Sequence, residues 1–181
     1  MNISYFRSSQ VRLVAKISIL STIILFIQIC WADNFSKVKK NLVAKYPSVV
    51  MIDVNQLYQE LNSKGEYYLL LDVRSPKEYA VSHIYQAHNA PNIEKALEIL
   101  QAKSRQTPIL VYCSLGYRSA ELALELQNQG FSQVTNLAGS LFEWVDKDYP
   151  IYQGDNQVQK VHPYNLWWGR YLRSDYRSYR P

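Results

Sequence analysis

Two continuous apolar runs, Tyr68-Leu69-Leu70-Leu71 and Ile109-Leu110-Val111-Tyr112, limit this chain more than any other feature. A strand without apolar–polar alternation is covered on both faces, which is the position of a central strand in a parallel sheet. Helix signals stand between the runs. Ser75-Pro76-Lys77-Glu78 carries a capping Ser, a first-turn Pro and an acid at the third helical position. Asp53, followed by Gln56, opens a second helix with Leu57 and Leu61 on its inner face. Apolar spacing predicts a third helix over Ile93 to Ala102. A fourth is expected from about Ser119, with Gly130 as its stop. Ser48 to Ile52 and Val134 to Leu137 add strands, and Leu141 to Val145 a last helical turn. Strands alternating with helices give an α/β fold, a parallel-rich central sheet flanked by helices on both faces. With 181 residues there is room for one such domain, and 48% hydrophobic against 19% charged residues excludes a disordered chain or a coiled coil.

The N-terminus reads as an address. Arg7, Arg12 and Lys16 precede the uncharged stretch Ile17 to Trp31, which is shorter than the ~20 residues a membrane-spanning helix needs. A signal peptide over 1–32 is expected, cut after Ala32, and the chain is expected to be exported to the periplasm. An uncleaved N-terminal anchor is the alternative. Cys30 lacks the small neighbours that lipidation requires. Residues 33–47 read as a polar leader, 48–150 as the domain and 151–181 as a basic aromatic tail. Gly154-Asp155-Asn156 marks a turn, and with it a small hairpin, just after the domain. Three of the five net positive charges lie in residues 1–32, so the remainder is too weakly basic to bind nucleic acid.

Chemistry is expected where the second apolar strand ends. The segment Cys113-Ser114-Leu115-Gly116-Tyr117-Arg118-Ser119 runs from that strand straight into a helix. Backbone N–H groups of so short a loop turn inward and form an anion cradle, which favours a thiolate over a thiol. Gly116 permits a turn that a side chain would block. Arg118 can orient an oxyanion, or can pair with a carboxylate. A lone cysteine is otherwise an ordinary buried strand end, but its place beside Gly116 and Arg118 favours a functional thiol. His88 and His162 have no supporting cluster, so no metal site is expected.

These residues, together with Leu71-Asp72-Val73-Arg74-Ser75-Pro76-Lys77-Glu78-Tyr79, Ser82-His83-Ile84, Ala87-His88-Asn89-Ala90-Pro91 and Asn136-Leu137-Ala138-Gly139-Ser140-Leu141-Phe142-Glu143-Trp144, resemble a single-domain rhodanese over about residues 48–150. The chain departs from that family at Ser82 and Gln86, where glycine is usual. The resemblance implies a sulfurtransferase without a cofactor. Cys113 would take a sulfane sulfur from thiosulfate or a persulfide and pass it to a thiol or cyanide-like acceptor. The amides of Ser114, Leu115, Gly116 and Tyr117 would cradle the anion, with Arg118 as its charge partner. Asp72, Arg74 and Ser119 would support the loop: Asp72 by capping a turn, by hydrogen bonds or by pairing with Arg118, and Arg74 by pairing with Glu78. His83 would be a structural hydrogen-bonding residue.

Related cell-cycle phosphatases place five residues between cysteine and arginine; here there are four, a ring suited to sulfur rather than phosphate. A module without turnover is the alternative function: a persulfide carrier, redox sensor or docking domain. The tail from His162 holds four arginines against Asp175 alone, interleaved with Tyr and Trp. It is similar to His-Pro-Tyr tails behind exported or uncharacterised rhodanese-like domains, and is expected to dock on the fold or a protein partner, with a membrane surface second. The protein is expected to be a monomer.

Overall fold

The structure is a computed structural model that describes residues 35–63 and 68–181. The chain divides into two compact units, 1–36 and 37–181, and the second carries every element below. The expected signal peptide, its cleavage site and Cys30 lie outside the described residues.

Five parallel strands make the central sheet, in the order β1-β5-β4-β2-β3. They are β1 (Val50–Ile52), β2 (Leu69–Asp72), β3 (His88–Asn89), β4 (Ile109–Tyr112) and β5 (Val134–Leu137). Helices flank the sheet on both sides. Two of them, α4 (Ile93–Leu100) and α5 (Tyr117–Asn128), pack against each other, and so do α2 (Val54–Asn62) and α6 (Ser140–Asp146). Strand β4 is buried at every position, as a run without alternation requires. Its register sets Asp72 beside Tyr112 on one side and Asn136 beside Val111 on the other. The carboxyl ends of β2, β4 and β5 therefore meet at one place.

Helix α3 (Pro76–Val81) begins with the full capping box, Ser75 and Glu78 each satisfying the other's backbone. In α2 only half of that device forms. Asp53 accepts from the N–H groups of Asn55 and Gln56, while the Gln56 amide turns to Glu60. Leu57 is buried, but Leu61, expected inside, is 38% exposed because it borders an open cleft. Helix α5 starts at Tyr117 rather than near Ser119, immediately after Gly116.

Residues 37–45, part of the stretch read as a leader, form helix α1. Val38 and Leu42 are buried and Lys39 pairs with Glu143 of α6 at 2.7 Å, so this segment belongs to the packed body. Lys37, Lys40 and Lys45, which made it look like a leader, are exposed, and the apolar spacing of Val38 and Leu42 carries the burial.

The two departures from the family pattern have different consequences. Ser82 is extended, a conformation open to any residue, and its carbonyl accepts from Arg74. Gln86 takes a left-handed conformation at φ 59°, where glycine would be unstrained. After α6 comes the expected hairpin, β6 (Ile151–Gln153) and β7 (Asn156–Val158), turning at Gly154. The tail folds back through α7 (Leu166–Gly169) and the 3-10 turn Ser174–Tyr176, burying Leu172.

Candidate active site

Cys113 is the first residue beyond β4, and its loop is held from three sides. The Cys113 N–H donates to Ser140 Oγ at 3.1 Å, and the Cys113 and Ser114 carbonyls accept from the Leu141 and Phe142 N–H groups of α6. Asn136, on β5, donates its amide to the Gly116 carbonyl at 3.1 Å, and Ser119 donates its hydroxyl to the same oxygen. Gly116 adopts φ +110°, a conformation that L side chains rarely enter. The turn it makes brings its own N–H to 3.1 Å from Cys113 Sγ. A sulfur that receives an N–H at the start of a helix sits in a field that favours negative charge. Cys113 itself is wholly enclosed, at 0% exposure, as are Ser114 and Ser119.

Arg118 leans back over the loop. Its Nη1 and Nη2 donate to both carboxylate oxygens of Glu78 at 3.0 and 2.8 Å, and Nη2 also reaches Ser114 Oγ at 3.0 Å. Burial pushes the Glu78 carboxyl up, but hydrogen bonds and charge from Arg118, with help from Ser75, outweigh it and hold it at about 2. Of the two roles open to Arg118, carboxylate pairing is the one this geometry contains.

Of the three supporting residues, Asp72 makes the expected turn cap, while Arg74 takes a different partner from the expected one. Asp72 does not reach Arg118. It accepts from the Arg74 N–H at 2.9 Å, capping the turn, and from the Arg74 guanidinium at 2.6 Å. Arg74 pairs with Asp72, not Glu78, and both are fully buried behind the loop. Beside them Tyr112 accepts the Ile84 N–H on its hydroxyl, and burial with the Asp72 charge raises its pKa well above the usual value. His83 is structural: its backbone pairs with Tyr152, its ring stacks on Tyr79 at 3.9 Å, and burial lowers its pKa.

Four contributors escaped the sequence reading. Glu78 was absorbed by its capping role, although a cap uses only one of its oxygens. Asn136 carried a signal, since an amide inside Val134-Thr135-Asn136-Leu137 must find a buried partner. Ser140, of α6, and Leu42, of α1, which lies against Gly116, had none, because both reach the loop from distant elements. A cleft of about 1170 Å³ is bordered by Tyr58, Leu70, Tyr79, His83 and Tyr152, but by no residue of the Cys113 loop. Among the described residues, no group of His, Cys, Asp or Glu is placed to hold a metal ion, and no helix is long and apolar enough to cross a membrane.

The rhodanese-like domain family matches residues 53–147, from the cap of α2 to the end of α6. The chain belongs to the rhodanese-like family. This rhodanese-like domain is 32% identical over 104 residues to a maize protein named adenylyltransferase and sulfurtransferase MOCS3-1; the match covers 52% of this chain and 22% of the maize protein. The chain thus spans about a fifth of that relative's length. It is also 29% identical over 100 residues to the thiosulfate sulfurtransferase GlpE of Vibrio cholerae, covering 55% of this chain and 92% of GlpE. Among solved structures, the BH2092 protein from Bacillus halodurans superposes with a TM-score of 0.57 at 20% identity, over 67% of this chain and 88% of that one. That likeness is one of fold.

Proposed function

We propose that this rhodanese-like protein transfers sulfane sulfur from thiosulfate or a persulfide to a thiophilic acceptor through a persulfide on Cys113. The observation that carries the reading is the 3.1 Å approach of the Gly116 N–H to Cys113 Sγ inside a loop closed on a helix start. Family membership and the name of the Vibrio relative support the same chemistry.

In the proposed reaction the Cys113 thiolate attacks the outer sulfur of thiosulfate. A new S–S bond forms, the donor S–S bond breaks, and its electron pair leaves with sulfite. An acceptor such as cyanide or a thiolate then attacks the terminal sulfur of the persulfide. The electron pair of that S–S bond returns to Cys113. The attacking thiolate and the persulfide it becomes are both sulfur anions, and the cradle stabilises each. The intact mass of the protein before and after thiosulfate tests this. A gain of one sulfur, discharged as thiocyanate over many cycles, is expected, and sustained transfer by Cys113→Ser would overturn the reading.

The full enclosure of Cys113 favours a second reading, a carrier or sensor that turns over only when a partner opens the loop. A protein that gains one sulfur but does not cycle with small acceptors would select it. The reading of residues 1–32 as an export signal, or as a retained anchor, belongs to the same proposal. N-terminal sequencing of the exported protein distinguishes the two.

A further inference from the structure

The tail lies outside the family-matched residues 53–147, yet it reaches the Cys113 loop. It is tied in place from both ends. The Val161 N–H donates to the Tyr176 carbonyl at 2.7 Å, the Val161 carbonyl accepts from Ser178, and Leu172 is buried. Between these anchors Tyr164 takes a left-handed conformation at φ 65°, and its N–H donates to Nδ1 of the buried His162 at 3.1 Å. A non-glycine residue in that region persists only where its surroundings over-determine it.

This strained backbone points the Tyr164 ring at Arg118, whose guanidinium carbon lies 4.6 Å from the ring centroid. Trp168 backs the same ring at 5.3 Å and meets Tyr117 of the loop at 6.2 Å. Arg118 is thus clamped, with the Glu78 carboxylate on its inner edge and an aromatic face against it. The negative face of a phenol ring attracts a cation and restricts where it can move.

We propose that Tyr164 is a positioning residue of the Cys113 site: it fixes the Arg118 guanidinium beside the loop, so that a segment outside the family domain completes the sulfur-binding machinery. The inference rests on the reading of Cys113 as the sulfur-carrying residue. Arg118 reaches the loop beside Cys113 through Ser114 Oγ at 3.0 Å. Lys77 and Glu78 of α3, Arg74 after β2, Arg118 of α5 and the tail's His162 are the other charged or titratable groups gathered here. Glu78 holds the inner edge of Arg118 and the Tyr164 ring lies against its face, so loss of the ring acts directly on Arg118.

The test compares Tyr164→Leu, which keeps apolar bulk and loses the ring face, with Tyr164→Phe, which keeps the face. In the full chain, Tyr164→Leu is expected to slow Cys113 alkylation by iodoacetamide at fixed pH about threefold and raise the thiosulfate KM about three- to fivefold, with kcat changed less than about twofold. Tyr164→Phe is expected to restore both toward wild type. A Tyr164→Leu protein that loses thermal stability but keeps the wild-type alkylation rate and KM would overturn the inference, since the tail would then be only a structural cap. Alkylation needs no turnover. Slowed alkylation in a protein inactive toward thiosulfate would therefore support the role of Tyr164 while overturning the thiosulfate reading.

Discussion

Glu78 and Arg118, forty positions apart, close a two-pronged ion pair over the Cys113 loop, with N···O distances of 3.0 and 2.8 Å. The pair joins the start of α3 to the start of α5 and holds the guanidinium beside the loop. It also takes a second contact on Ser114 Oγ, so the loop, the cap of α3 and the charge beside the sulfur form one unit.

Replacing Glu78 by Gln is therefore expected to destabilise the fold by about 2–4 kcal/mol, toward the lower part of the range for a broken buried pair because Arg118 is 27% exposed. Urea denaturation checks the magnitude. Unchanged stability would show the pair to be incidental.

Acid should undo the same contact. The Glu78 carboxyl is held at about 2 in the folded chain against an ordinary 4.5, so the unfolded chain binds the proton more readily. Its contribution is complete above pH 4.5 and is lost as pH falls toward about 2. His162, whose pKa burial lowers from 6.5, acts in the same direction at higher pH: its contribution is full above 6.5 and declines below it. Thermal melts from pH 8 to 3 should show a first loss below 6.5 that His162→Gln reduces, and a second below 4.5 that Glu78→Gln reduces.

A methyl group at position 116 has no room. A Cβ there would stand 2.8 Å from the Leu42 side chain and 3.2 Å from the Leu137 carbonyl, on a backbone at φ +110°. Gly116→Ala should cost about 1–3 kcal/mol and displace the N–H that faces Cys113 Sγ, slowing alkylation of Cys113. A melt and an alkylation time course measure both. Wild-type alkylation in the variant would detach that N–H from the reactivity of the sulfur.

What could be read from the residues alone was local. The unbroken apolar runs of β2 and β4, the Ser75–Glu78 box and the glycine-containing link from Cys113 into α5 each depend on neighbours within a few positions. Burial of both strand faces, a cap and a left-handed turn are short-range demands, and a sequence states them directly. Choosing partners among charges is not short-range. Arg74 could have met Glu78 one helical turn away, and Asp72 could have met Arg118. The parallel register of β2 on β4, with the lie of α3, instead gave Arg74 to Asp72 and Glu78 to Arg118. Likewise, only the packed structure turned residues 37–45 into a helix pressed on the body, with Leu42 against Gly116, and laid Tyr164 over Arg118. Coulombic and packing partners follow distance in space, and that distance exists only once strand order and helix placement are set.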